Sequence, residues 1–178
     1  MSGGTQRSIV SFKTGVIPGI GSGTNEFITR PSNTTQYTGG DAISDTNSDE
    51  YFTFNMAHLT AGEKQTGVIT SALMTSSVKA STLPDFELWL FHASIAEIVD
   101  NAAFTVSDAE ILTLVGIIEF PQSQFRTSAL NAACEVRNLG LAYRTAGANS
   151  GGLDNNTLIG QLVDRGGYTP ASAEVFSV

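Results

Sequence analysis

Apolar and polar residues alternate with a period of two through most of the hydrophobic segments of this chain. That period puts successive side chains on opposite faces of an extended strand. Phe86–Phe91 is the clearest case, with Phe86, Leu88 and Leu90 on one side and Glu87, Trp89 and Phe91 on the other. Val115–Phe120 is short, rich in β-branched residues and stopped by Pro121, so it also predicts a strand. Between them the residues predict a turn at Asp100–Asn101 and one short helical segment near residues 107–114. Ser107 caps that segment, and Asp108 and Glu110 occupy its first turn, where carboxylates favour the helix dipole.

The same pattern predicts strands at Ile9–Phe12, Phe27–Thr29 and Tyr51–Met56, the last with Phe52, Phe54 and Met56 inward. In residues 66–75 strict alternation sets Val68 and Met74 on one face and Ile69 and Leu73 on the other. Leu130, Ala132, Cys134 and Val136 alternate with Asn131, Ala133, Glu135 and Arg137; a hairpin turn over Asn138–Gly140 then leads to a return strand, Leu141–Thr145. Thr157–Val163 is apolar on both faces, as the central strand of a packed sheet is, and Tyr168–Val178 predicts the last strand. About eight to ten short strands separated by turn signals describe an all-β fold, a single-domain β-sandwich or jelly roll. Residues 1–25 carry two Gly clusters and read as a flexible or partner-ordered N-terminal arm; residues 26–178 read as one domain.

Composition narrows the function. The 178 residues are 41% hydrophobic and only 15% charged, with 18 Gly, which suits a turn-rich β protein better than a helix bundle. The net charge is −8 and the nine Lys and Arg are scattered, which argues against nucleic acid and anionic membrane surfaces as partners. Cys134 is the sole cysteine, so neither an internal disulfide nor a Cys-based zinc site is expected. The N-terminus lacks the apolar region of a signal peptide, and synthesis in a reducing cytoplasm is the expectation.

Candidate chemistry is sparse. Gly19-Ile20-Gly21-Ser22-Gly23 follows Pro18 and precedes no helical pattern, unlike a dinucleotide loop. Asp45, Asn47 and Asp49 open like a calcium loop, but Glu50 and Met56 stand where that loop needs Gly and Glu; a solvated acidic turn is the reading. His58 and His92 have no partner motif, and Cys134 falls on the apolar side of its strand. No catalytic, cofactor-binding or metal-ligating residue is assigned, and no enzyme is expected. Trp89 and Phe91 share a face with Glu87, which reads as a sheet face covered by a loop, or as an exposed aromatic anchor for a partner.

Three segments carry a resemblance. They are Tyr37-Thr38-Gly39-Gly40-Asp41-Ala42-Ile43; Leu88-Trp89-Leu90-Phe91 with Asp100-Asn101-Ala102-Ala103-Phe104, Ser107-Asp108-Ala109-Glu110 and Val115-Gly116; and Leu162-Val163-Asp164-Arg165-Gly166-Gly167-Tyr168-Thr169-Pro170-Ala171. In this order they resemble the head decoration, or cement, proteins of tailed bacteriophages. The resemblance covers most of the chain from Tyr37 onward and leaves residues 1–36 outside it. It implies a structural role on the capsid exterior of a virion, with the major capsid protein and further copies of itself, as a homotrimer, for partners. The alternative is a carbohydrate-binding or host-adhesion module of a phage head or tail fibre that uses Trp89; a glycan hydrolase built on converging carboxylates comes third.

Overall fold

Alternation on this scale builds strands, and a computed structural model places eleven of them. They are β1 (Ile9–Val10), β2 (Phe27–Thr29), β3 (Ala42–Ile43), β4 (Phe52–Asn55), β5 (Thr66–Ser76), β6 (Phe86–Phe91), β7 (Leu114–Phe120), β8 (Arg126–Thr127), β9 (Ala132–Arg144), β10 (Thr157–Asp164) and β11 (Val175–Ser177). Helical structure among the described residues is confined to α1 (Asp108–Ile111) and a 3₁₀ turn at Gln122–Gln124. The structure describes residues 9–10, 27–45, 51–56, 66–77, 83–145 and 157–178. The Gly19 cluster, His58, most of the acidic turn after Asp45, and the arm apart from Ile9–Val10 lie outside them.

The strands form two sheets. One runs β2-β11-β5-β9-β8, with β1 parallel to β5 at Val68 and Ile69; the other runs β10-β6-β7, with β3 and β4 sharing the far edge of β10. All other pairings are antiparallel. With β1 and the two-residue β8 set aside and β3 and β4 counted as one, the chain orders are 1-8-3-6 and 2-7-4-5. Those orders describe a jelly roll, in which two interlocked Greek keys alternate the chain between sheets. The all-β expectation holds, with the helical segment where Ser107 predicts it.

Sheet-on-sheet packing explains the burial. Phe86, Leu88 and Leu90 of β6, Leu158 and Leu162 of β10, and Phe52 and Phe54 of β4 line one sheet and share a single core with Ile69 and Met74 of β5 in the other. All eight residues of β10 are buried, as its two-sided apolar pattern predicts, because it lies between β6 and β3/β4 with both faces covered. Its outer face meets a smaller cluster, Phe91, Ile95 and Ile159, packed by Trp89, Phe104, Val106 and Leu114 from β6, the β6–β7 connection and β7. The connection therefore folds back over the five-stranded sheet as a lid. Gly160 makes room at the centre, since a Cβ there would stand 2.7 Å from the Phe54 ring and 3.0 Å from Leu88.

Two expectations are corrected. Asn138–Gly140 is not a hairpin turn, and Leu141–Thr145 is not a separate return strand: Ala132–Arg144 is one strand that pairs with β5 along its whole length. Between the Ile69–Leu141 and Ser71–Arg137 pairs, residues 138–140 of β9 stand against a single residue of β5. Asn138 (φ 59°) and Gly140 (φ 62°) both take the left-handed backbone that turns favour, but here it builds a bulge. The shift also overturns the simple alternation of β5. Ile69 and Met74, an odd and an even position, both enter the core, because the bulge resets the face between them.

The tight fit around Gly160 yields a test. Gly160→Ala should lower stability by about 1–3 kcal/mol through overpacking. The readout is a lower denaturant midpoint at unchanged m-value; an unchanged midpoint would mean that Phe54 and Leu88 yield freely.

Candidate functional site

The residues with chemical potential gather at one corner of the sandwich. Tyr37–Ile43, Asp100–Phe104 and Asp164–Ala171, far apart in the chain, are bonded to one another there through their backbones. Tyr37 N donates to Tyr168 O (2.9 Å), Gly40 N to Asp164 O (2.6 Å), and Asp164 N to Asp41 O (3.0 Å). On the other side, Ala42 N donates to Ala102 O (2.8 Å), Asn101 N to Ala42 O (3.0 Å), and Phe104 N to Gly40 O (2.9 Å). Asn101 takes φ 64°, a conformation Asn tolerates better than most residues, which lets the Asp100–Asn101 turn fold onto β3. Gly167, at φ 71°, approaches so closely that a Cβ would stand 3.2 Å from Tyr37 O.

Inside this corner Arg30 is fully buried, and the side chain of Asp100 is 6% exposed. Arg30 Nη2 donates to Asp100 Oδ2 (2.9 Å) and Nη1 to Ala171 O (3.3 Å), while Nε donates to the Tyr37 hydroxyl. That hydroxyl donates in turn to Asp100 Oδ1, which also accepts from Ser44 N (3.1 Å). Every strong group of the triad is thus bonded, as burial of charge requires. The Tyr37 ring stacks on Tyr168 with centroids 5.3 Å apart. Burial raises the Tyr37 hydroxyl pKa well above its ordinary value, helped by its bond to Asp100, so it stays protonated and a donor.

Two more carboxyls are buried nearby. Glu174 accepts from Ser76 Oγ (2.5 Å) and Ala171 N (3.2 Å); Asp164 accepts from Gly167 N (2.7 Å) and Gly166 N (3.3 Å). Burial raises both pKa values against the lowering effect of those bonds, and Asp41 adds to the rise at Asp164. These bonds all close turns or join strands, so the arrangement fastens chain segments.

Other sequence-predicted candidates go elsewhere. Trp89 is half-buried, with its ring against Phe104 (5.2 Å) and under Arg165 (5.9 Å), and its Nε1 donates to Glu87 Oε2 (2.8 Å). The covered-face reading describes this better than an exposed anchor. Cys134 is in the core, where burial pushes the thiol up to about 11. His92 bonds through its backbone N to Thr113 O (3.0 Å), and its buried Nδ1 has no partner among the described residues. Ser107 makes a full capping box with Glu110. Among the described residues no group of three or more metal-ligating side chains occurs, and no helix is long and apolar enough to cross a membrane.

Arg30 and Glu174 are absent from the sequence-level candidates. Their one visible signal was an arginine ending an apolar strand in a chain with few cations, and it pointed to no partner. In comparisons with known proteins, the chain matches no family model, no curated protein and no solved structure.

Removing one member of the triad should be costly. Asp100→Ala leaves the Arg30 guanidinium buried without its counter-ion and should destabilise by about 3–5 kcal/mol. Asp100→Asn should cost less, and equal midpoints for the two variants in chemical denaturation would refute the ionic role. The raised carboxyls set a pH dependence. Each contributes stability fully below its unfolded value, near 4.5 for Glu174 and 3.8 for Asp164, and loses it as pH rises through the higher folded value. Glu174→Gln and Asp164→Asn should therefore flatten the decline in melting temperature on the alkaline side of those values, and a decline as steep as the wild type's would contradict it.

Proposed function

We propose that this protein is a structural component of a tailed-bacteriophage particle, binding the outside of the assembled capsid as a homotrimer and reinforcing the shell. The observation that carries the reading is the convergence of the resemblance segments. Residues 37–43, 100–104 and 164–171 form one bonded corner, so what resembles decoration proteins is a coherent piece of fold rather than scattered likeness. The jelly-roll order supports the same reading, since that architecture serves viral capsid proteins as well as lectins. So does the use of the chain's strongest polar groups: Arg30, Tyr37, Asp100, Asp164 and Glu174 are all spent on internal bonds.

A protein of this kind works by burying surface against neighbours, and a stable contact needs on the order of 1,200–2,000 Å². Its partner in this reading is the major capsid protein, and its place is the capsid exterior. Trp89 under Phe104 and Arg165 offers no open stacking platform, which sets the glycan-adhesion alternative behind.

The test uses capsids produced without this chain. Adding back the purified protein should give saturable co-sedimentation and restore resistance to heat and low salt. Capsids equally stable with and without it, to which none of it binds, would overturn the proposal.

A further inference from the structure

Charge is divided unequally between the two sheets. From Asp85 to Glu119 the chain carries seven carboxylates and no Lys or Arg. Of these, Asp100 is buried against Arg30, whereas Glu97, Asp108 and Glu119 are exposed on the β6–β7 side. Glu119 stands directly opposite Glu87 across β6 and β7. Like charges so paired repel, and the nearby cation, Arg165, bonds Glu87 (2.6 Å). Glu119 has no ion pair among the described residues.

The opposite sheet carries three exposed arginines. Arg126, Arg137 and Arg144 are exposed on β8 and β9. They face outward, because Ala132, Cys134 and Tyr143 of β9 face the core and Arg126 pairs with outward Ala133. Glu135 pairs with Arg137 (2.7 Å), and Arg126 and Arg144 have no ion pair among the described residues. The face around them is built of small or half-buried residues, Ser71, Leu73, Thr75, Ala133 and Ser177, and Thr75, Arg126, Ala133 and Ser177 line an open hollow in it.

These two surfaces flank one edge of the sandwich. Leu141 of β9 packs against Gly116 of β7, and residues 121–125 cross from one sheet to the other there. At this edge the described residues place exposed carboxylates on one flank and exposed arginines on the other. A cyclic trimer needs such a pair, because its contacts are heterologous: one patch of each copy meets a different patch of the next.

We infer that copies of this chain associate head to tail, the Arg126–Arg137–Arg144 flank of one against the Glu97–Glu119 flank of the next, with the β7–β9 edge toward the ring axis. The inference rests on the trimer of the proposed function and names its contact. Complementary charge of this kind fixes partner and register, and it weakens with salt as the Debye length falls from about 10 Å at about 0.1 M to about 3 Å at about 1 M.

Sedimentation velocity on the purified full chain tests it. Wild type should be trimeric at low salt and shift to monomer at high salt. Arg137→Glu with Arg144→Glu should be monomeric at both, as should Glu97→Lys with Glu119→Lys, each with an unchanged far-UV circular dichroism spectrum because the residues are exposed. Mixed in equal amounts at low salt, the two variants should associate with each other. A wild type monomeric at low salt, a trimer indifferent to salt and to charge reversal, or a mixture that stays monomeric would each overturn the inference. Rebinding to capsids is read separately, so attachment to the shell can stand while this contact falls, and the reverse.

Discussion

A guanidinium without water is the constraint on which this structure turns. Arg30 is fully buried, and no hydrophobic contact can compensate an ion left unpaired in that position. Its partners come from four places: Tyr37 before β3, Asp100 from the β6–β7 connection, Ala171 ahead of β11, and through Asp100 the backbone of Ser44. Satisfying one side chain therefore fixes the mutual position of segments up to 141 residues apart. A buried pair of this sort does not add much net stability over apolar packing, but breaking it is expensive, and that asymmetry gives the corner a single arrangement.

The jelly-roll order raises the need for such a fastening. Strands adjacent in space are seldom adjacent in sequence: β11 lies between β2 and β5, and β10 between β3/β4 and β6. Each pairing closes a long loop, whose entropy must be recovered by contacts made late. The corner bonds of residues 37–43, 100–104 and 164–171 close several of those loops at once. The lid over the five-stranded sheet depends on the same knot, because Asp100 and Phe104 belong to both.

What could be read from the sequence follows from the range of the forces involved. Strand existence was legible where burial alone decides the residue, as in β10, apolar on both faces, and β6, alternating. The cap at Ser107 was legible because its partner, Glu110, is three residues away. The β9 bulge was not: Asn138 and Gly140 favour the same left-handed backbone in a hairpin and in a bulge, and the continuation of pairing with β5 decides between them. Strict alternation without that shift sets Ile69 and Met74 on opposite faces of β5, whereas both enter the core. The Arg30 network lay further out of reach, since its partners are distant in sequence and no local pattern marks an arginine for burial.

The division of labour that results bears on function. The buried polar groups of the corner are bonded inward, and burial holds the Tyr37 hydroxyl protonated as a structural donor. Among the described residues the outside carries a sheet face with exposed arginines, a lid with exposed carboxylates beside exposed Val99, Ile111 and Leu112, and an edge between them. Such surfaces discriminate among partners through complementary area and field. The interior knot would matter to such contacts because it fastens the lid to the sheet. An acidic flank carried on a mobile loop would lose ordering entropy at every contact, whereas one fixed through Asp100 and the Ser107–Glu110 box would meet the neighbour of the proposed ring already in place.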